Sequence, residues 1–210
     1  LELIVEMIKR TCGMKDDDEI ITTPLTCTAT NFAILSRGMK LKWADVDPLN
    51  YNLDLNDVAR KLSPKTKAVM VVHWGGYPID LDKLNIILEK CNDMYGFKPY
   101  IIEDCAHAWG ARYKGKLIGT HGNFCSFSFQ AIKHFTTGDG GLVITPDEKW
   151  HSSAKLLRWY GLDRTSKQDF RCLHPDTKIR VAGGKMMKIS AFVKNKHKGP
   201  IISIENNKLI

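Results

Sequence analysis

Short apolar runs alternate with helical patterns along most of this chain, and this alternation constrains the fold more than any other feature. Such runs occur in EIITT, KLKWAD, KAVMVVHW and PYIIED, and amphipathic stretches or turns separate them. Strands that are buried on both faces carry continuous apolar runs, and helices between them return the chain for parallel pairing. We therefore predict an open, mostly parallel α/β sheet flanked by helices, with further strands in FCSFSF and GLVIT.

Helix boundaries follow from periodicity and from end signals. In TATNFAILSRG we expect Gly38 to end the helix, because glycine adopts the left-handed conformation at little cost. The first helix begins at Leu1 with no initiator methionine and no cap before it, so we expect the natural chain to begin earlier. The predicted helices lie near residues 1–12, 28–38, 54–62, 81–94 and 147–161.

Length, hydropathy and charge exclude several classes of protein. The chain has 210 residues, 43% of them apolar, which suits one packed domain with or without a small module. No apolar run approaches the roughly 20 residues that cross a bilayer, and the first residues lack a secretory signal pattern. The net charge of +8 comes mainly from residues 172–210, which carry 8 basic and 2 acidic side chains without interleaved aromatic residues. We therefore predict neither a nucleic-acid nor a membrane partner.

The six cysteines are scattered along the chain without a CxxC pair. Zinc sites and disulfide frameworks use characteristic cysteine spacings, so we predict no metal site and reduced thiols in a cytoplasmic protein. The cysteines are Cys12, Cys27, Cys91, Cys105, Cys125 and Cys172.

Polar residues follow two of the predicted strands. Glu103 and Asp104 end the strand PYIIED. The strand FCSFSF supplies Ser126 and Ser128 and leads to Lys133. In open α/β sheets ligands gather at the carboxyl ends of the strands, so these side chains should meet at one edge. The chain has no GxSxG or HExxH motif, whereas a lysine that can form a Schiff base, a carboxylate and hydroxyl groups suit pyridoxal phosphate (PLP).

Several segments in this region resemble one known family. The segments EDCAHAWG, GKLIGTHG, SFQAIK and TTGDGG are similar, in this order, to motifs of the DegT/DnrJ/StrS family of PLP-dependent sugar aminotransferases, and the similarity covers about residues 1–171. The resemblance implies an aspartate-aminotransferase-like large domain. It also implies a homodimer that transfers an amino group, typically from glutamate, to a keto carbon of a nucleotide-linked sugar.

The resemblance assigns roles to four residues. Lys133 matches the lysine that forms the Schiff base and moves the proton, and Asp104 matches the partner of the pyridine nitrogen. His107 takes the position that faces the 3-hydroxyl group of the cofactor, and Ser128 matches a phosphate-binding serine.

Each assignment has a structural alternative. Lys133 is then a solvated surface lysine, Asp104 a helix cap, His107 a partly buried structural histidine, and Ser128 a strand residue that points inward by alternation. A PLP-dependent sugar dehydratase branch of the family replaces the lysine with histidine. The lysine is present here, which favours amino transfer and leaves His134 a structural role. A non-catalytic binding protein on the same fold is disfavoured by the intact Lys133 and Asp104.

Three features depart from the family pattern or leave a role open. Cys27 stands in TPLTCTATN where the family often has an aromatic residue that stacks on the cofactor. Trp74, in HWGG, either lines the site or packs beside it. The first phosphate loop of the family would precede Leu1.

Residues 172–210 form a separate predicted unit, because the family resemblance stops after Arg171. Its opening resembles the N-terminal block of an intein, in which Cys172 would start protein splicing by an N-to-S acyl shift onto the carbonyl of Arg171. The alternative is a β-rich appendage with a structural thiol. Without the later intein motifs we expect no splicing by this chain alone, and without the missing family segments we expect it to be inactive. The strands predicted here are TKIRV, KMMKISAFV and PIISIE, with turns at Gly183-Gly184 and Gly199-Pro200.

Overall fold

The computed structural model describes residues 1–159, 178–180, 185–194, 204–205 and 208–209. The chain divides into two units, Leu1–Ala154 and Lys155–Ile210. Cys172 and Arg171 lie outside the described residues, as do both predicted glycine turns of the tail. Among the helices of the described residues, none combines the length and the apolar character that crossing a bilayer requires.

A six-stranded sheet organises the first unit. Its strands are β1 (Glu19–Thr22), β2 (Lys40–Trp43), β3 (Thr66–Val72), β4 (Tyr100–Asp104), β7 (Phe124–Ser128) and β8 (Gly141–Ile144); a small hairpin supplies β5 (Arg112–Tyr113) and β6 (Lys116–Leu117). The strand order is β2-β1-β3-β4-β7-β8. All neighbours pair in parallel except β7 and β8, which are antiparallel. The predicted mostly parallel α/β sheet is confirmed.

The predicted helices are present, with small differences at their ends. They are α1 (Glu2–Cys12), α2 (Thr28–Leu35), α3 (Leu55–Lys61), α4 (Leu81–Tyr95) and α5 (Glu148–Leu157). Gly38 follows α2 with a φ of 70°, and the N–H of Met39 donates to the carbonyl of Ile34 while that of Gly38 donates to Leu35. This pair of bonds is the Schellman arrangement that the glycine predicted.

Side-chain alternation along the strands divides the sheet into two faces. One face belongs to a continuous core with residues of α3 and α4, and from β3, β4 and β7 it takes Val69, Val71, Ile101, Cys125 and Phe127. The intervening strand residues, such as Asp104 and Ser126, therefore point to the opposite face. Thr30 of α2 bonds to Asp104, and the nitrogen of Leu1, directly before α1, lies 3.3 Å from Ser126 Oγ, so this face carries α1 and α2.

The second unit departs in part from its prediction. Strands β9 (Lys178–Arg180) and β10 (Met186–Lys188) pair antiparallel, as the alternation of TKIRV and KMMK suggests. The following ISAFVK is a helix, α6 (Ile189–Lys194), rather than the continued strand that we predicted. Its apolar residues lie three and four positions apart, which is helical spacing. Strands β11 (Ile204–Glu205) and β12 (Lys208–Leu209) also pair antiparallel.

Candidate active site

Asp104 ends β4, and two hydrogen bonds fix its carboxylate. Its side chain is 6% exposed. Oδ2 accepts a bond of 2.6 Å from the hydroxyl of Thr30 on α2, and Oδ1 accepts one of 3.1 Å from the N–H of Ala106. Because the Thr30 hydroxyl donates to Asp104, it accepts from the hydroxyl of Thr26 at 2.7 Å. Asp104 is therefore held by α2 and is more than a cap of the following turn.

A cavity of about 620 Å³ opens beside the end of β4. His107 and Lys133 both border it, and so do two glycines of the loop that follows β3. Asp104 and Ser128 are not among its lining residues, so the cavity brings together two of the four predicted site residues. The lining consists of Gly75, Gly76, His107, Trp109, Ala111, Ile132, Lys133 and His134.

Two charges act on the His107 imidazole: Lys133, which borders the cavity, and Asp104, which does not. Partial burial and the positive charge of Lys133 lower the pKa of the His107 imidazole below its ordinary value, while Asp104 acts in the opposite direction. The three groups are thus close enough to influence one another electrostatically. At neutral pH the imidazole is neutral and can donate one hydrogen bond and accept another.

Lys133 lies in the loop between β7 and β8. The loop is closed at its base because the N–H of Phe129 donates to the carbonyl of Gly140 at 2.9 Å. His134 Nε2 lies 3.0 Å from the carbonyl oxygen of Trp109, and since a carbonyl only accepts, this nitrogen carries a hydrogen. The Trp109 ring stacks on Phe135, with 5.3 Å between centroids. These contacts hold the lysine loop against the turn after β4 and support the structural role predicted for His134.

Two serines of β7 share the face of Asp104. Ser126 is the register partner of Asp104, and Ser128 follows two residues later on the same side. The backbone nitrogen of Leu1, the residue before α1, lies 3.3 Å from Ser126 Oγ. Two hydroxyl groups therefore lie on the face of Asp104, and hydroxyl groups are donors that suit a phosphate group.

The loop after β3 forms a further wall. The Trp74 ring meets the His107 ring edge to face, with 5.6 Å between centroids. A Cβ atom on Gly76 would lie 2.8 Å from the carbonyl oxygen of His107, so the two backbones are in direct contact. Trp74 does not itself border the cavity; it packs against a residue that does.

A model of the DegT/DnrJ/EryC1/StrS aminotransferase family matches residues 3–197. The chain belongs to this family. The match runs past Arg171, where the predicted resemblance ends, and the intein resemblance of the tail remains a prediction that rests on Cys172, outside the described residues.

Curated relatives and a solved structure agree with the family. The chain is 42% identical over 152 residues to an uncharacterised protein, MJ1066, of Methanocaldococcus jannaschii, covering 72% of this chain and 38% of that protein. It is 36% identical over 150 residues to GDP-perosamine synthase of Escherichia coli O157:H7, covering 71% and 40%. The structure of the sugar aminotransferase CalS13 from Micromonospora echinospora aligns with a TM-score of 0.73 at 44% identity over 80% of this chain and 45% of that one. The chain thus spans less than half the length of these family members.

Aminotransferases of the DegT/DnrJ/EryC1/StrS family depend on PLP, and the residues at this edge fit that cofactor. The aldehyde of PLP requires an amine, and its ring nitrogen requires a carboxylate that is held in place. Its hydroxyl group requires a neutral imidazole, and its phosphate requires a set of hydrogen-bond donors.

Thr30, which orients the carboxylate, was not singled out from the sequence, although it stands in the family segment TPLTCTATN. Cys27 precedes α2 as an exposed thiol, so no ring stacks on the site from that position.

A second polar cluster lies on the other face of the sheet. Within the part of the chain that the structure describes, His73, Glu103 and Cys105 have potential metal-ligand atoms within 4.8 Å of one another. All three side chains are buried, and they are engaged in hydrogen bonds: His73 Nε2 lies 2.8 Å from Glu103 Oε2, and the thiol of Cys105 donates to the Glu103 carbonyl. Burial also raises the pKa of the thiol, which disfavours the thiolate that a metal needs. We therefore assign this cluster a structural role.

Proposed function

We propose that this chain carries the cofactor-lysine part of a PLP-dependent aminotransferase that transfers an amino group, from glutamate, to a keto carbon of a nucleotide-linked sugar. The observation that carries the proposal is that His107 and Lys133 border one cavity, while Lys133 and Asp104 act on the same imidazole with opposite charge. Membership of a family of sugar aminotransferases supports it.

The role of each residue follows from its chemistry. When bound, PLP withdraws electrons from the substrate carbon and so makes its C–H bond acidic. Lys133 would hold the cofactor through its amine and carry the proton to and from that carbon. Asp104 would keep a proton on the ring nitrogen, with its oxygens oriented by Thr30 and Ala106. His107, neutral because its pKa is lowered, would bond the 3-hydroxyl group.

Phosphate binding would fall to the end of β7. Ser128 is our proposed ligand, and Ser126 lies on the same face. Hydroxyl groups bind phosphate through short, directed hydrogen bonds. The homodimer and the cytoplasmic location that we predicted from the sequence form part of the same proposal.

The nucleotide-linked sugar is supported by the relatives. GDP-perosamine synthase carries a nucleotide sugar in its name. The dehydratase alternative is not favoured, because Lys133 stands where the dehydratase branch has histidine. The splicing alternative, in which Cys172 starts an N-to-S acyl shift, is not favoured either, because the family match runs past Arg171 into the segment that the alternative needs.

The test locates the cofactor on the chain. The protein expressed from its complete reading frame is loaded with PLP, reduced with borohydride, digested and analysed by mass spectrometry. We expect the pyridoxyl group on Lys133 and no lysine-bound PLP absorbance in Lys133→Ala. Lys114→Ala is the control: this exposed lysine pairs with Asp82 away from the cavity, and its loss should leave the absorbance unchanged.

Two further readings complete the test. Adding glutamate should discharge the lysine-bound absorbance and release 2-oxoglutarate, and a nucleotide-linked keto-sugar should restore it. A pyridoxyl group on another lysine would overturn the proposed site, and a loaded protein that glutamate leaves unchanged would overturn the proposed donor.

A further inference from the structure

His73 closes the loop that forms one wall of the cavity. It follows directly after β3, and its backbone N–H donates to the carbonyl of Asp104 at 3.1 Å. Its carbonyl accepts from the N–H of Gly76 at 3.0 Å, and its ring Nδ1 accepts from the N–H of Ile79 at 3.2 Å. One residue therefore bonds to β4, to the middle of the 73–79 loop and to the end of that loop.

The bond to Ile79 determines the protonation of the His73 ring. A ring nitrogen that accepts an N–H has no hydrogen of its own, so Nδ1 is bare and the single ring hydrogen is on Nε2. This hydrogen is directed at Glu103 Oε2, 2.8 Å away. His73 is thus a neutral imidazole with both nitrogens used.

Glu103 joins three chain segments through one carboxylate. Oε2 accepts from His73, and Oε1 accepts a bond of 2.7 Å from the side-chain amide of Asn123, the residue before β7. Burial opposes the ionisation of Glu103, but these hydrogen bonds prevail and the pKa lies below its ordinary value. The carboxylate therefore accepts from both donors at once, which a neutral acid or amide in the same place cannot do.

The anchored loop touches the site directly. Gly76 lies against the carbonyl of His107, and the Trp74 ring packs against the His107 ring. The N–H of Trp74 also donates to Asn52 Oδ1 at 3.0 Å, which holds the loop from its other side. A shift of His73 would therefore reach His107 through this backbone contact and this ring contact.

We propose that Glu103, together with His73 and Asn123, is a positioning unit that sets the 73–79 loop against His107 and so fixes the wall of the cofactor site from the opposite face of the sheet. The effect on cofactor binding rests on the function proposed above. The effect on His107 does not, so the two can fail separately.

The test exchanges the acceptor and the donor between Glu103 and Asn123. In Glu103→Met the side chain has no oxygen, so neither His73 nor Asn123 keeps its acceptor. In the double variant Glu103→Gln/Asn123→Asp, the glutamine oxygen accepts from His73 and its amide donates to the new aspartate, so the charge is kept and moved by one bond. A buried carboxylate outside the loop supplies the control, Asp57→Asn, which loses bonds to Lys61 and to the backbone of Asp45.

Two measurements are made on the protein from its complete reading frame. Without cofactor, the ¹⁵N and ¹H NMR signals of His73 and His107 report ring protonation and the Trp74 contact. With PLP, the dissociation constant reports the site. We expect Glu103→Met to shift the His107 signals and to weaken PLP binding at least about tenfold, the double variant to retain both, and Asp57→Asn to change neither despite its loss of stability.

The outcomes separate the two proposals. Unchanged His107 signals in Glu103→Met, or equal weakening of PLP binding in Asp57→Asn, would show that the cluster contributes stability alone and overturn the positioning role. If the unaltered protein does not bind PLP while His107 still responds to Glu103→Met and is unaltered in the double variant, the positioning role stands and the proposed function fails.

Discussion

Glu103 and Asp104 are neighbours in sequence, and they serve opposite faces of the same sheet. Both end β4, both are buried, and both accept hydrogen bonds at each oxygen. Glu103 points into the core with α3 and α4, where its donors are a histidine ring and an asparagine amide. Asp104 points toward α1 and α2, where its donors are a hydroxyl group and a backbone N–H near the cavity.

Glu103 and Asp104 differ in what happens to their hydrogen-bond donors when the carboxylate is removed. The His73 ring that donates to Glu103 is fully buried and the Asn123 amide is half-buried, so loss of the carboxylate would leave a ring hydrogen in the core without its acceptor. The Thr30 hydroxyl can turn to Thr26, so Asp104 is more easily replaced structurally and its charge is available for chemistry. Because successive residues of a strand point to opposite faces of the sheet, the two adjacent acids lie in different environments. Glu103 lies in the core, and Asp104 lies near the cavity.

The largest expected effect is on stability. Glu103→Ala should lower the free energy of unfolding by about 3–5 kcal/mol, because leaving the buried His73 donor unsatisfied costs about 1–3 kcal/mol, and the lost Asn123 bond and the cavity add to this. Asp104→Ala should cost about 1–2 kcal/mol, since its donors find other partners. Urea unfolding of the cofactor-free protein measures both; equal losses would remove the distinction between the two faces.

A smaller effect concerns acid pH. The pKa of Glu103 is lowered from its ordinary value of 4.5 in the folded protein, so the unfolded chain binds more protons in that range. The stability that Glu103 contributes is complete above its ordinary pKa and is lost as pH falls through the folded pKa. The stability of Glu103→Gln should therefore fall less steeply with acid, by at most about 1.4 kcal/mol per pH unit. Parallel acid profiles in urea unfolding would contradict a buried, ionised Glu103.

The smallest expected effect concerns the pKa of His107, near the face of the sheet that carries Asp104. Removing the cation in Lys133→Met should raise the pKa of His107, and removing the anion in Asp104→Asn should lower it, because the two charges act on the imidazole with opposite sign. NMR titration of the cofactor-free protein measures the pKa, with His107→Gln to assign the signal. Asp57→Asn should leave it unchanged. Shifts of the same sign in the two site variants would mean that these charges do not converge on His107.

Much of the fold could be predicted because its signals are local. Apolar runs located the buried strands, and Gly38 marked the end of α2 through a conformation that glycine favours. The antiparallel direction of β8 could not be predicted, because an apolar run such as GLVIT pairs equally well in either direction. In the tail, ISAFVK was misassigned because a short apolar segment suits a strand as well as a helix.

The candidate site was also predicted only in part, because some of its residues stand in motifs and others act through distant contacts. His107 and Lys133 were found because they stand in motifs, and the structure places both at one cavity. The bond from Thr30 to Asp104 joins residues far apart in sequence, and so does the one between His73 and Glu103. Such pairs depend on which strands become neighbours, and no local pattern encodes that. A histidine at the end of one apolar strand and a second acid at the end of the next are the signals that were available.

The contact between Gly76 and the carbonyl of His107 also limits how the shape of the cavity can change during evolution. A side chain at position 76 would push against the backbone of a residue that borders the cavity. Ile132 borders the same cavity with a side chain that is 82% exposed. Variation in the shape of the cavity is therefore easier at Ile132, in the lysine loop, than at Gly76.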